Sequence, residues 1–90
     1  IVSIYENELL ASNILIYPNP AKNSFYIENL TNTEGSTIEL VSITGELIAH
    51  EFPQNELIEI NTTNLKSGIY FVQISLKSGE KIQLGRVTIQ

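Results

Sequence analysis

The sequence predicts an all-β fold, a seven-stranded antiparallel β-sandwich, and three observations lead to it. The chain has 90 residues, a length that corresponds to one domain. Short apolar runs recur between turn signals at intervals of roughly 8–12 residues, the spacing typical of a sandwich. No long helical periodicity interrupts these runs, and the frequent β-branched residues favour pleated surfaces.

The first segment, residues 1–13, mixes apolar and acidic side chains and is interpreted as a junction with an upstream domain. The chain begins at Ile1 and shows no basic-then-apolar signal peptide, so we expect it to be cut from a longer protein. The sandwich itself is predicted over residues 14–90.

Seven strands follow in order from the apolar runs, each bounded by a turn or loop signal. They are expected at residues 14–17, 25–28, 37–43, 46–52, 57–61, 68–76 and 81–89. Pro18-Asn19-Pro20 ends the first strand, because each proline lacks an N–H and restricts the residue before it. Thr44-Gly45 forms a tight turn between the third and fourth strands, which makes them a hairpin.

The last two strands carry further information. The sixth is apolar on both faces at its start, so we expect it to be central in its sheet. In the seventh, Ile82 and Leu84 share one parity, whereas Val87 and Ile89 have the other. Because a one-residue slip would expose apolar groups, this change of phase predicts a β-bulge at Gly85.

Gly68 and Tyr70 mark the start of the sixth strand. A glycine between a polar loop and a strand permits a positive φ, and a tyrosine two residues later resembles the tyrosine corner of immunoglobulin-like sandwiches. In that corner the tyrosine hydroxyl bonds to the backbone upstream. The predicted sandwich is therefore immunoglobulin-like.

Composition excludes several classes of function. The net charge is −5, from ten acidic and five basic residues, which argues against nucleic acid and anionic membrane surfaces as partners. The absence of cysteine removes disulfides, thiolate metal sites and a cysteine nucleophile. No apolar run approaches the length of a membrane span. We predict no catalytic residue, no cofactor and no metal site.

Three chemical alternatives compete with this interpretation. His50 is the only imidazole and could serve a small hydrolase if a Ser or Glu lay beside it in a cleft, but the pattern favours a partly exposed strand residue. Glu56 and Glu59 do not have the spacing of a calcium loop. A sugar-binding sandwich stays open, because seven aromatic side chains are available: Tyr5, Tyr17, Phe25, Tyr26, Phe52, Tyr70 and Phe71.

Four elements, taken in order, resemble a known family over residues 14–90. They are Pro18-Asn19-Pro20, Ile43-Thr44-Gly45-Glu46-Leu47, the Leu65, Gly68 and Tyr70 spacing, and a terminal strand with Lys81 and Arg86. This order resembles the C-terminal sorting domain (type A) of cargo proteins of the type IX secretion system of Bacteroidetes. Lys66 stands where that family often has proline, and Thr44 where it often has aspartate.

The resemblance implies a secretion signal and not an enzyme. Such a domain directs a larger cargo protein, attached upstream in the same chain, across the outer membrane for release or surface attachment. The implied partners are the outer-membrane translocon and a sortase-like protease, and the implied location is secreted or on the cell surface. The residues expected to matter for recognition are Pro18, Asn19, Pro20, Gly45, Leu65, Gly68, Tyr70, Lys81 and Arg86.

Two further expectations concern the surface. Lys81 and Arg86 are expected to be isolated surface cations, which usually contribute roughly 0–1 kcal/mol to stability. Edge strands of a sandwich can pair with another copy, so a weak homodimer stays open.

The alternative to sorting is a carbohydrate-binding or adhesive sandwich appended to an enzyme.

Overall fold

The structure, a computed structural model, describes residues 14–31 and 33–90, and in them seven strands form two sheets. The strands are β1 (Leu15–Tyr17), β2 (Ser24–Glu28), β3 (Thr37–Ser42), β4 (Leu47–Glu51), β5 (Leu57–Asn61), β6 (Gly68–Ser75) and β7 (Lys81–Ile89). One sheet has the order β1-β2-β5 and the other β4-β3-β6-β7, and all their strand pairs are antiparallel. The predicted sandwich is confirmed. The predicted junction, residues 1–13, lies outside the described residues.

The core lies between the two sheets and is built from alternating strand positions. In β2 and β6 every second residue is buried, while the residues between them face outward. Burial of a large aliphatic or aromatic side chain stabilises the fold by roughly 1.5–3 kcal/mol. The core comprises Ile14, Ala21, Phe25, Ile27, Leu30, Ile38, Leu40, Ile60, Tyr70, Val72, Ile74, Leu84, Val87 and Ile89.

Two hairpins use the same kind of three-residue loop. In each, a glycine with a left-handed backbone closes the loop, Gly45 with φ +92° and Gly79 with φ +97°. The Ser42 N–H donates to the Glu46 carbonyl at 2.8 Å, so the loop before β4 comprises residues 43–45. Ile43, predicted to end the third strand, therefore lies in the loop and is 70% exposed. The strand predicted over residues 46–52 is also shorter in the structure, Leu47–Glu51.

The predicted bulge in the last strand is confirmed. Val72 lies opposite Gly85 and its neighbour Gln73 opposite Gln83, so Leu84 is the extra residue on β7. A Cβ atom on Gly85 would lie 2.9 Å from Cδ1 of Ile16. The glycine therefore allows β1 of one sheet to approach β7 of the other. β6 lies between β3 and β7, as its two apolar faces predicted.

The start of β6 has the geometry of a tyrosine corner. The Tyr70 hydroxyl donates a hydrogen bond to the Lys66 carbonyl at 2.7 Å, four residues upstream. Gly68 has φ +152°, a conformation that residues with a side chain rarely adopt. Both observations confirm what the sequence predicted here, and the corner is a feature of immunoglobulin-like sandwiches.

Candidate functional site

The Pro18-Asn19-Pro20 segment ends β1 and then reaches the last strand of the other sheet. Both proline peptide bonds are cis. The Asn19 side chain donates from Nδ2 to the Arg86 carbonyl at 3.3 Å and accepts at Oδ1 from the Thr88 N–H at 2.9 Å. One carboxamide thus binds two backbone groups on the outer edge of β7, as a neighbouring strand would.

Ala21 continues the same contact along β7. Its N–H donates to the Thr88 carbonyl at 2.8 Å, and its carbonyl accepts from the Gln90 N–H at 2.8 Å. Ala21 forms a parallel bridge with Ile89 and is fully buried. Sequence reasoning missed this residue, although a small apolar residue directly after Pro20 was a signal that the chain packs closely there. The outer edge of β7 is therefore covered from Arg86 to Gln90 by the chain itself.

The glycine and tyrosine elements lie at the same end of the sandwich. In the register of β6 and β7, Gly68 is opposite Ile89 and Tyr70 is opposite Val87. Tyr70 is also opposite Ser42 of β3, which places the Gly45 loop beside this end. Leu65 is half-buried and packs against the core just before β6. The structure thus brings elements that are far apart in sequence together around residues 86–90, here called the terminal-strand site.

The two predicted cations differ in their surroundings. Lys81 Nζ lies 3.4 Å from Glu39 Oε1, whose side chain is 13% exposed and also accepts a hydrogen bond from Gln73 Nε2 at 2.7 Å. The expectation of an isolated cation is therefore wrong for Lys81, because Lys81 pairs with Glu39. Charge reversal at Lys81 would place two carboxylates together. Arg86 is exposed and forms no ion pair with any residue in 14–31 or 33–90.

The hydrolase alternative finds no support at His50. This residue is exposed on β4, and its ring meets Phe52 edge-on, with ring centroids 5.7 Å apart. Glu39, its partner in register, is engaged by Gln73 and Lys81. Within the described ranges there is no group of three or more His, Cys, Asp or Glu that could hold a metal ion. Those ranges also contain no helix long and apolar enough to cross a membrane.

The aromatic side chains of the described residues lie either in the core or toward the outside of the sandwich. Phe25 and Tyr70 are buried, and Tyr5 lies outside the described residues. Tyr17 is 40% exposed and stacks on Tyr26, with ring centroids 5.7 Å apart. Its hydroxyl donates to Glu28 at 2.6 Å, and this hydrogen bond is the largest cause that raises the pKa of the Tyr17 phenol above its ordinary value.

These observations define a class of domain, a small sandwich in which separate sequence elements meet at the last strand. The chain belongs to the family described as the secretion system C-terminal sorting domain, whose sequence model matches residues 15–89. One relative, an endo-acting ulvan lyase of Formosa agariphila, is 32% identical over 81 residues. That match covers 89% of this chain and 16% of the lyase.

A solved structure gives the same fold. It comes from a study of PorZ, an essential bacterial surface component of the type-IX secretion system of Porphyromonas gingivalis, and superimposes with a TM-score of 0.72 at 19% identity. The match covers 90% of this chain and 12% of that one. The present chain therefore spans a small part of the length of both proteins.

Family membership confirms the main functional prediction. The domain is a secretion signal and not a catalytic unit, and it belongs to a secreted or cell-surface protein. A sorting domain serves a larger cargo chain, which agrees with the small share of the lyase that the match covers. The role of each predicted recognition residue stays a prediction.

Proposed function

We propose that residues 14–90 direct a larger cargo protein through the outer-membrane translocon of the type IX secretion system, with residues 1–13 as the junction to the cargo. A sortase-like protease of the same system then removes the domain. The order of the four sequence elements supports this route, and so does the fold shared with a chain from a surface component of that system. The cargo is released or attached to the cell surface.

The main support for this proposal is that the sequence elements meet at the terminal-strand site. Asn19 binds the backbone of β7 directly, and Gly68 and Tyr70 face its last residues. Arg86, at the start of this site, is the exposed cation that the translocon recognises. The remaining predicted recognition residues shape or hold the end of the sandwich around it: Pro18, Pro20, Gly45 and Leu65. Lys81 is held by Glu39 and contributes less.

A fusion experiment tests the route. A fluorescent passenger with an N-terminal signal peptide is joined to residues 1–90 and expressed in a host with the type IX system. We expect the passenger at the cell surface or in the medium. The proposal fails if the intact, folded fusion stays in the periplasm, as a passenger without residues 14–90 should.

Charge reversal at Arg86 tests the recognised residue. Arg86→Glu should leave the fold intact, because an exposed cation without an ion pair contributes little to stability, yet secretion should fall sharply. Lys77→Glu makes the same change in net charge on the β6–β7 hairpin, at the other end of β7, and should be secreted normally. Equal secretion of both variants, with unchanged melting temperatures, would show that Arg86 only solvates the surface.

A second candidate function is binding of a carbohydrate at the outer face of the three-stranded sheet. The observation that favours it is the pair formed by the exposed Tyr17 and the half-buried Tyr26, with Glu28 beside it. Titration with soluble glycans should then give saturable binding that Tyr17→Ala abolishes. Because the two rings stack on each other, each has one face already occupied. The sorting function is therefore better supported than carbohydrate binding.

A further inference from the structure

The outer edge of β7 has two halves with different backbone environments. In the terminal-strand site, the edge groups of Thr88 and Gln90 are bonded to Asn19 and Ala21. In the other half, residues 81–85, the pairing with β6 determines which groups point outward. The Leu76 N–H donates to the Glu80 carbonyl at 2.7 Å, and Ile74 lies opposite Ile82, so the hydrogen-bonded pairs are alternate residues.

Lys81 and Gln83 therefore direct their N–H and carbonyl groups away from β6. β7 is the last strand of its sheet, and no strand formed by residues 14–31 or 33–90 pairs with this half. Edge strands are often protected by a lysine that projects over the edge. The Lys81 side chain instead reaches across β6 to Glu39 on β3, which leaves the edge accessible.

The other long edge of the sandwich is protected by charge. In β5 the Thr62 N–H donates to the Asn23 carbonyl at 2.8 Å, so the alternate residues Leu57, Glu59 and Asn61 direct their backbone groups outward. The exposed Glu59 lies in the middle of that edge. β4, at the far side of the four-stranded sheet, has five residues, and its pairing is interrupted where Leu40 and Val41 lie opposite Ala49 and Leu47. β1, the remaining edge strand, has three residues, so β7 is the edge best suited to accept a strand.

We propose that an extended segment of a partner protein adds to residues 81–85 as a fifth strand of the four-stranded sheet. The Asn19 side chain fixes where the added strand must stop, and Arg86, beside that stop, pairs with a carboxylate on the partner. This mode of binding, strand addition to a sheet edge, takes its affinity from main-chain hydrogen bonds. The inference rests on the proposed function, since the partner is a protein of the export machinery.

A proline substitution tests the added strand. Gln83→Pro removes one outward N–H and leaves the bonds to β6 in place, and proline is tolerated on edge strands when its nitrogen faces solvent. Gln83→Thr changes the side chain and keeps the N–H. Glu59→Pro makes the equivalent change on the outward edge of β5. All three are made in the passenger fusion with residues 1–90, and folding is verified by protease resistance of the purified fusion.

We expect Gln83→Pro to lower surface display at least about tenfold, the factor that about 1.4 kcal/mol of lost affinity gives, while Gln83→Thr and Glu59→Pro are displayed like the wild type. Normal display of folded Gln83→Pro overturns the proposal. If Gln83→Pro proves sensitive to protease, Lys81→Pro takes its place at the first residue of β7, with the same expected loss. A wild-type fusion that is not displayed would refute the proposed function itself.

Sedimentation of the purified chain separates a partner protein from a second copy. The wild-type chain should be monomeric at micromolar concentration. A dimer that Gln83→Pro abolishes and Glu59→Pro retains would overturn the proposal, because this edge would then serve self-association.

Discussion

The contact between Gly85 and Ile16 gives a prediction whose size follows from the structure. The backbone of Gly85 is not in the left-handed region, so any residue could adopt it, and the glycine is explained by space alone. A Cβ there would lie 2.9 Å from Cδ1 of Ile16, closer than carbon atoms approach without displacement. Gly85→Ala should therefore destabilise the sandwich where β1 meets β7.

The magnitude combines two opposing effects. An alanine lowers the conformational entropy of the unfolded chain, which stabilises by roughly 0.4–1 kcal/mol. Overpacking costs roughly 1–3 kcal/mol, and the lower value applies here because Cδ1 is the far end of a partly buried side chain that can shift. We expect Gly85→Ala to lower the free energy of unfolding by about 0.5 kcal/mol. Ile16→Val, which deletes the Cδ1 atom itself, should cost roughly 0.5–1.5 kcal/mol.

Urea unfolding of the two single variants and the double variant measures their coupling. Ile16→Val removes the atom that the new methyl group meets. The double variant should therefore be about 1 kcal/mol more stable than the sum of the two single effects predicts. Ile58→Val is the matched control. It lies on β5, two strands from β1 and so roughly 10 Å away, and should be additive with Gly85→Ala. If the effects of Ile16→Val and Gly85→Ala on the free energy of unfolding add within roughly 0.5 kcal/mol, the steric explanation is refuted.

Three other predictions concern single residues. Gly68→Val should cost roughly 1–3 kcal/mol, because φ is +152° and no atom within 4 Å explains the glycine otherwise; an unchanged urea midpoint would contradict this. Asn19→Ala should cost about 1 kcal/mol by removing the acceptor of the Thr88 N–H; an unchanged urea midpoint would argue against a contribution from that bond. Because the bond from Tyr17 to Glu28 raises the folded-state pKa of the phenol, its stabilisation is complete below the unfolded-state pKa and is lost as pH rises through the folded-state value. The stability difference between wild type and Tyr17→Phe should accordingly narrow as pH increases past about 10, and a constant difference would contradict the assignment.

The features that the sequence could predict depend on neighbours along the chain. The parity change between Leu84 and Val87 predicted the bulge, because side chains alternate with a period of two on any strand. The spacing of Gly68 and Tyr70 predicted the tyrosine corner, because its hydrogen bond spans four residues. Ile43 was misplaced by one position because a β-branched residue suits both a strand end and a loop whose glycine supplies the turn.

The features that the sequence could not predict depend on sheet order. The bond from Thr88 to Asn19 joins residues 69 positions apart, and the ion pair of Lys81 with Glu39 crosses β6. Nothing local distinguishes Lys81 from an isolated surface cation, since its partner is two strands away. The same limit applies to Ile16, whose contact with Gly85 joins two different sheets.

The position of Asn19 also changes what its sequence element means. A proline-flanked asparagine at the start of a domain is easily interpreted as a turn or as a motif that a receptor contacts. Here its carboxamide binds the backbone of Arg86 and Thr88, so its first role in the fold is to hold the end of β7. Loss of secretion on mutation of Asn19 would therefore arise through β7, whose end would lose its outer neighbour. Secretion of an Asn19 variant should therefore fall in proportion to its loss of stability. Secretion of Arg86→Glu should fall without any loss of stability. This difference separates the residues that hold the strand from the residue that is recognised.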